Sequence, residues 1–135
     1  MLLSFPARQH LLPHEEVSAE HLQELLEQLR RDRILRRAII ADTQSKVILD
    51  GHHRWHAAKR LGLKRIPVFF VDLWSEDIIV EPFRSDIPVS KKLVIERGTS
   101  GTLLPWKTTR HVFGCRRIPI AEAFPPVHIP LPSLL

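Results

Sequence analysis

The first half of the chain shows both helical and strand-like patterns of hydrophobic residues. Four leucines at helical spacing lie between about residues 19 and 32: Leu22, Leu25, Leu26 and Leu29. The positions between them are mainly Gln, Glu and Arg, so the pattern predicts an amphipathic helix with Ser18 as its N-cap. A second helix is predicted from about His53 to Leu61, because Gly62 follows and ends it.

Shorter apolar runs predict strands around these helices. Residues 38–41 and 46–49 flank a polar turn at residues 43–45, which predicts a β-hairpin. Residues 67–71 and 78–80 predict two further strands. Ser90 is the expected cap of a short helix that ends near Arg97, before Gly98. From Ala123 onward the prolines exclude a central strand or a helix, so we expect an extended tail over the domain.

Length and composition are those of one compact domain. With 135 residues, of which 44% are hydrophobic, the chain can bury a core but is too short for two ordinary domains. It has no run of roughly 20 apolar residues, as a membrane helix requires, and its start lacks the pattern of a secretory signal. We therefore expect a cytoplasmic protein. Cys115 is the single cysteine, which excludes an internal disulfide and a metal site of several thiolates.

The net charge of +5 indicates an anionic ligand. Charge alone does not distinguish a nucleotide, a nucleic acid and a small phosphorylated metabolite. Five arginines follow the first predicted helix closely: Arg30, Arg31, Arg33, Arg36 and Arg37. We interpret this run as a solvated helix end, favoured by the helix dipole, rather than as a nucleic-acid stripe.

Residues 48–56 combine an acid, a glycine, three histidines and an arginine between a predicted strand and a predicted helix. Asp50 is expected at the strand end, and Gly51 lets the backbone approach a ligand closely. The free N–H groups of the next helix, its dipole and the cation of Arg54 favour an anion, and phosphate is the anion we expect. The alternative is that Asp50 is only an N-cap and the histidines are surface residues. A cap alone, however, would not require His52, His53 and Arg54.

Three motifs carry a family resemblance. The segment Asp50-Gly51-His52-His53-Arg54 resembles the signature of the ParB/sulfiredoxin superfamily, in the form found in its free serine kinase branch. Leu12-Pro13-His14-Glu15 resembles the Pro-His-Glu segment that contains the catalytic glutamate of those kinases. Residues 104–112 are similar to their Lys-Thr-Thr-Arg-His segment. The motifs occur in the family's order, but only residues 73–106 separate the last two, where archaeal kinases of this branch insert a long extra region.

The resemblance implies a single α+β domain of the ParB/sulfiredoxin type, with a small mixed sheet and packed helices. The first two motifs would lie in a core of about residues 1–72, and the third in a C-terminal part of about residues 73–135. The implied activity is phosphoryl transfer from ADP or ATP to free L-serine. The product, O-phospho-L-serine, would be a precursor for cysteine synthesis. Nucleotide and L-serine are thus the expected partners, nucleic acid and membrane are not expected, and the oligomeric state is open.

Each motif then has an expected role. Glu15 would accept the proton of the serine hydroxyl; Glu16 is an alternative base, but the register after Pro13-His14 favours Glu15. Asp50 is the second expected catalytic residue and the expected Mg²⁺ ligand, because a hard cation takes oxygen from a carboxylate, phosphates and water. The residues expected to bind the nucleotide phosphates are Gly51, His52, His53, Arg54, Lys107 and Arg110. The residues expected to bind serine, on an ordered loop after Pro105, are Thr108, Thr109 and His111.

Three other functions stay open. A partition-type nucleotide switch that binds DNA would carry Gly-Glu-Arg-Arg at the second motif and would need a helix-turn-helix region, which the Pro-rich C-terminal half does not provide. A sulfiredoxin would need a cysteine inside that motif, where this chain has His52. A regulator or nuclease without kinase activity is the third alternative. The two adjacent histidines diverge in direction on a helix, so a closed zinc site is not expected.

Overall fold

A computed structural model describes residues 2–135 of the chain. Within these residues there are three α-helices: α1 (Ala19–Asp32), α2 (His52–Arg60) and α3 (Lys91–Ser100). The same part of the chain has nine strands: β1 (Leu3–Ser4), β2 (Ile34–Leu35), β3 (Ile39–Asp42), β4 (Ile48–Asp50), β5 (Val68–Val71), β6 (Ile78–Pro82), β7 (Thr109–Phe113), β8 (Ile118–Pro119) and β9 (Ile129–Pro130). Short 3₁₀ turns lie at Arg8–His10, Ile120–Ala123 and Leu131–Leu134.

The central sheet has four strands in the order β1-β5-β3-β4. Strands β3 and β5 are parallel, whereas β3 and β4 form the antiparallel hairpin that the sequence predicts. A second, antiparallel sheet has the order β6-β7-β8, and β2 pairs with β9. The predicted small mixed sheet is therefore present, with a separate antiparallel sheet beside it.

Strand β3 is covered on both faces. Ile39 and Ala41 belong to a hydrophobic cluster with leucines of α1 and with Trp55 and Ala58 of α2. Ile40, between them, belongs to a second cluster with residues of β6 and α3. Because successive strand side chains point to opposite faces, the central sheet separates the α1/α2 layer from the layer formed by α3 and the second sheet.

The predicted first helix is confirmed, and its N-cap is Ser18, whose Oγ accepts a hydrogen bond from the N–H of His21. The predicted second helix and the strands near residues 67–71 and 78–80 are also confirmed, within about two residues at each end. Among residues 2–135, no helix combines the length and the apolar character that crossing a membrane requires.

The prediction that Gly98 follows the end of the third helix is wrong. Helix α3 continues to Ser100, and Gly101, with φ of +78°, is its C-cap. A Cβ atom at Gly98 would lie 2.5 Å from Cγ2 of Val47. This glycine therefore serves the close packing of α3 against the hairpin rather than the termination of the helix.

The prediction that residues 107–112 form a loop is also wrong in part. Thr109–Phe113 is strand β7, in which His111 pairs with Val80 and Thr109 with Pro82 of β6. Pairing with a strand nearly 30 residues earlier is a tertiary effect, and the basic residues of the segment gave no apolar alternation to indicate it. After residue 119 the chain contains the last two 3₁₀ turns and the edge strand β9.

Candidate functional site

The turn between β4 and α2 is built around Gly51. Strand β4 ends at Asp50, α2 begins at His52, and Gly51 lies between them with φ of +103°. A Cβ atom there would lie 2.9 Å from Cγ1 of Ile39 and 3.0 Å from Nη2 of Arg54. Because the N-cap position is Gly51 and has no side chain, the free N–H groups of the first turn of α2 are available to an anion.

Asp50 and Arg54 form an ion pair one helical turn apart. Nη2 of Arg54 donates a 2.8 Å hydrogen bond to Oδ2 of Asp50. The Nε atom of Arg54 is buried, and within the described residues 2–135 it has no hydrogen-bond partner. The guanidinium therefore keeps a donor for a bound anion while Asp50 holds its orientation.

His52 and His53 attach the N-terminal segment to α2. Nε2 of His52 accepts a 3.2 Å hydrogen bond from the backbone N–H of His14, and Nε2 of His53 accepts one of 3.1 Å from that of Ser18. Burial lowers the pKa of both imidazoles, that of His52 well below its usual value. Because Nε2 accepts in each neutral ring, the hydrogen is on Nδ1, which leaves an N–H donor on each histidine.

Backbone hydrogen bonds hold residues 12–16 between the hairpin and the third motif. On one side, the N–H of Ile48 donates to the carbonyl oxygen of Leu12 over 2.8 Å. On the other side, the N–H of Leu104 donates to the carbonyl oxygen of His14 over 2.9 Å. The N–H of Glu16 donates to the carbonyl oxygen of Leu104 over 2.8 Å. The Pro-His-Glu segment is therefore fixed at both edges.

The carboxylate of Glu15 is buried among donors from the third motif. Oε1 accepts a 2.6 Å hydrogen bond from the N–H of Thr108, and Oε2 lies 2.8 Å from Oγ1 of Thr109. The residue is only 7% exposed, and this burial raises the pKa of Glu15, although the hydrogen bonds from Thr108 and Thr109 oppose the rise. Glu16 and Glu20, the neighbouring acids, are exposed.

The three motifs surround one cavity of about 170 Å³. Its lining residues are Glu15, Leu49, Asp50, Gly51, His52, His53, Phe83, Trp106, Lys107 and Thr109. A second cavity, of about 190 Å³, is lined by residues that include Arg37, Phe69, Phe124 and Arg54. Asp50 lines both cavities, so they adjoin at its side chain.

Most of the predicted site residues line one of these cavities. Arg54 and Asp50 line the second cavity. The predicted residues that line the first cavity are Glu15, Asp50, Gly51, His52, His53, Lys107 and Thr109. The other three predicted residues do not line either cavity: Thr108, Arg110 and His111. Their predicted roles in binding stay predictions.

Each of these three residues has another environment in this structure. The hydroxyl of Thr108 is buried and donates to the carbonyl oxygen of Pro105. The guanidinium of Arg110 donates to Glu81 over 2.9 Å, and His111 is buried with its ring 5.9 Å from that of His14. Their side chains are thus already engaged within the fold or enclosed by it.

Neither Trp106 nor Phe83 is among the site residues that the sequence predicts. Both line the first cavity. The ring of Trp106 lies 5.2 Å from that of His21, and Nζ of Lys107 lies 4.8 Å from its centroid. Trp55, by contrast, is buried in the core and donates through Nε1 to the carbonyl oxygen of Arg8. Position after Pro105 in the third motif was the available signal for Trp106; for Phe83 there was none.

The residues present suit a metal that is shared with a ligand rather than enclosed by protein. Among residues 2–135 there is no group of three or more His, Cys, Asp or Glu side chains that could hold a metal ion. Of the two carboxylate oxygens of Asp50, Oδ2 accepts the hydrogen bond from Arg54, and Oδ1 accepts none within residues 2–135. A single carboxylate oxygen beside an anion-binding turn matches the way Mg²⁺ is bound by one or two carboxylates, phosphates and water.

Comparison with known proteins identifies the family of this chain. Residues 7–81 match the ParB N-terminal domain. The chain belongs to this family. A ParB-like protein of Sulfolobus acidocaldarius is 42% identical over 78 residues, which are 58% of this chain and 39% of that protein. An ATP-dependent L-serine kinase of Staphylothermus marinus is 36% identical over 72 residues, which are 50% of this chain and 29% of the kinase.

The chain thus spans less than half the length of these curated relatives. Among solved structures, a free serine kinase in complex with AMP has the same fold, with a TM-score of 0.82 and 17% identity. The match covers 98% of this chain and 93% of the other. The predicted ParB/sulfiredoxin-like α+β fold is confirmed.

Proposed function

We propose that this member of the ParB N-terminal domain family is a small-molecule kinase that transfers a phosphoryl group from ADP or ATP to the hydroxyl of free L-serine. The observation that carries the proposal is the cavity in which the buried carboxylate of Glu15 and the anion-binding turn of α2 occur together. The similarity to an ATP-dependent L-serine kinase supports the choice of donor and acceptor. The product would be O-phospho-L-serine.

The nucleotide phosphates bind at the start of α2 in this proposal. Gly51 allows the backbone to approach them, the N–H groups of the first helical turn donate to them, and Arg54 contributes a cation with an unused donor. Each cavity alone is smaller than the roughly 300–1,000 Å³ of typical ligand pockets. We therefore place the nucleoside in the second cavity and the acceptor in the first, with the phosphates passing Asp50 between them.

Glu15 removes the proton from the acceptor hydroxyl. A general base works best when its pKa approaches the working pH, and burial moves the pKa of Glu15 in that direction. The hydrogen bonds from Thr108 and Thr109 fix the carboxylate, so its position is set before the substrate binds. Lys107 and Trp106 also line the cavity and are the groups available to the rest of the acceptor.

Asp50 is the residue that would hold Mg²⁺, which when bound neutralises charge on the phosphates. Arg54 orients this carboxylate through Oδ2 and leaves Oδ1 for the cation. A contribution to cysteine synthesis and a cytoplasmic location stay predictions from the sequence.

The test is direct assay of the purified chain with L-serine, MgCl₂ and either ADP or ATP. Phosphoserine, detected by mass spectrometry or ³¹P NMR, should appear in an amount equal to the AMP or ADP released, and the productive nucleotide identifies the donor. L-threonine and L-homoserine in place of serine measure the acceptor specificity. No phosphoserine with either nucleotide would refute the kinase proposal.

The second candidate is a nucleotide-binding regulator without kinase activity. It is favoured by the 42% identity to a protein described as ParB-like. Calorimetry with CTP and a DNA duplex distinguishes it from the kinase. Tight binding of either, in the absence of phosphoserine formation, would support this candidate.

A further inference from the structure

A buried histidine, His14, is connected to Glu15 through a threonine hydroxyl. Nε2 of His14 lies 2.9 Å from Oγ1 of Thr109, which lies 2.8 Å from Oε2 of Glu15. Nδ1 of His14 lies 2.7 Å from the carbonyl oxygen of Ile48. The three residues are 8% exposed or less, so the groups depend on one another for hydrogen bonds.

Counting hydrogens in this group shows that one is missing when Glu15 is ionised. A carbonyl oxygen only accepts, so Nδ1 of His14 carries the ring hydrogen and Nε2 of the neutral ring is an acceptor. The Thr109 hydroxyl then lies between two acceptors, Nε2 of His14 and Oε2 of Glu15, but has a single hydrogen. One of the two short contacts is left without a proton.

A proton on Glu15 satisfies the whole group. Oε2–H then donates to Thr109, the Thr109 hydroxyl donates to Nε2 of His14, and Nδ1–H donates to Ile48. A proton on Nε2 of His14 would also give every contact a hydrogen, and it would place a cation 3.6 Å from Oε2 of Glu15. The His14 ring is completely buried, however, and this burial disfavours the cation by lowering the pKa of the imidazole to about 4. Neutral His14 therefore competes with ionised Glu15 for the one hydroxyl hydrogen.

We propose that His14 is a positioning residue that increases the proton affinity of Glu15 through the Thr109 hydroxyl, and that Thr109 serves this pair rather than the substrate. The inference rests on the proposed function of Glu15 as the base. The carboxylate of Glu15 takes up the proton that leaves the acceptor hydroxyl, and rotation of the resulting carboxylic acid hydrogen towards Thr109 completes the hydrogen-bond chain to His14. The Pro-His-Glu motif then has a chemical reason for the histidine next to its glutamate.

Other ionisable groups near this network are His52 of α2 and His111 of β7, whose rings lie 4.7 and 5.9 Å from that of His14. Asp50, His53 and Lys107 line the same cavity as Glu15. All of them are retained in the variants compared below, so their charges contribute equally to each measurement.

The test is the pKa of Glu15 in the folded protein, measured by ¹³C NMR of labelled glutamate carboxyls and assigned with Glu15→Gln. In His14→Asn the amide can still donate to Ile48, but no acceptor reaches Thr109, whose hydroxyl then donates to Glu15. We expect the pKa of Glu15 to fall by about one to two pH units, the worth of one hydrogen bond to a charged group. His14→Gln, whose amide oxygen can replace Nε2, should keep the higher value.

Two controls test whether His14 acts on the pKa of Glu15 through the Thr109 hydroxyl. His56→Asn, on α2 but outside the network, should leave the pKa of Glu15 unchanged. In a Thr109→Val background the hydroxyl is absent, so adding His14→Asn should no longer lower the pKa. An unchanged pKa in folded His14→Asn, or an equal fall in both backgrounds, would overturn the proposal.

If the His14 variants do not fold, ¹⁵N NMR of the histidine ring in the unmodified protein tests the same network. Near pH 7, Nδ1 of His14 should carry the hydrogen and Nε2 should not; the opposite tautomer would overturn the proposal. Because neither NMR experiment requires turnover, the outcome is separate from that of the phosphoserine assay.

Where turnover is observed, the acid limb of the kcat/KM profile should move to lower pH in His14→Asn, whereas simple displacement of Glu15 would lower the rate at every pH.

Discussion

Oε1 of Glu15 accepts a 2.6 Å hydrogen bond from the backbone N–H of Thr108, 93 residues further along the chain. This contact joins the first and third motifs. The second motif joins them through His52, which accepts a hydrogen bond from the backbone of His14. Motifs far apart in sequence therefore share one site, in which the buried carboxylate of Glu15 and the turn before α2 have fixed relative positions.

Replacing Glu15 by Gln should lower kcat for phosphoserine formation by a factor of about 10²–10⁴, because the amide does not take up the hydroxyl proton. Nucleotide affinity should change little, since the phosphate-binding groups of α2 are not altered. Steady-state assays and calorimetry with ADP measure the two quantities. The matched control is Glu16→Gln, at the adjacent exposed position. A larger loss in that control than in Glu15→Gln would identify Glu16 as the base.

The Asp50→Asn variant should fold normally, because its side-chain oxygen still accepts a hydrogen bond from Arg54. It should lose magnesium-dependent turnover, since the neutral amide is a much weaker ligand for a hard cation. Rates measured over a range of MgCl₂ concentrations, with thermal unfolding as the check on folding, give both results. Turnover that survives in Asp50→Asn, or that EDTA does not reduce in the unmodified protein, would contradict a metal role for this carboxylate.

Arg54→Ala should weaken nucleotide binding about 10- to 100-fold, which corresponds to roughly 1.5–3 kcal/mol for a hydrogen bond to a charged group. The loss has two causes: the donor set is removed, and the carboxylate of Asp50 is left unpaired beside the phosphates. Arg60→Ala removes the same charge from the exposed, opposite end of α2 and should bind nucleotide nearly as the unmodified chain does. Equal affinities for both variants in calorimetry would assign the effect to net charge alone.

Gly98→Ala should destabilise the fold by about 1–3 kcal/mol, as overpacking of a core does. In an exposed helix the same change would stabilise by roughly 1 kcal/mol, because alanine has the higher helix propensity. Here the new Cβ would lie 2.5 Å from Cγ2 of Val47. Urea unfolding measures the free-energy change. Adding Val47→Ala should relieve the clash, so the double variant should be more stable than the sum of the single effects predicts.

Local sequence signals were sufficient for the elements that carry the site. The leucine spacing of α1, the cap at Ser18 and the Asp50-Gly51 junction each depend on interactions within a few residues, and each is present in the structure. Likewise, most of the site residues that the three motifs identified line one of the two cavities. Such features are readable because helix period, capping and the need for glycine at positive φ are properties of the local chain.

Tertiary structure decided what depends on contacts between distant segments. The role of Gly98 depends on Val47, and the strand that contains His111 depends on its pairing with β6. Burial of Glu15 and its link to His14 through Thr109 require segments 94 residues apart to meet. The sequence alone therefore determined which residues could perform the chemistry. Only the folded chain determined which of them are buried together and hydrogen-bonded to one another, because desolvation and hydrogen-bond partners depend on long-range packing.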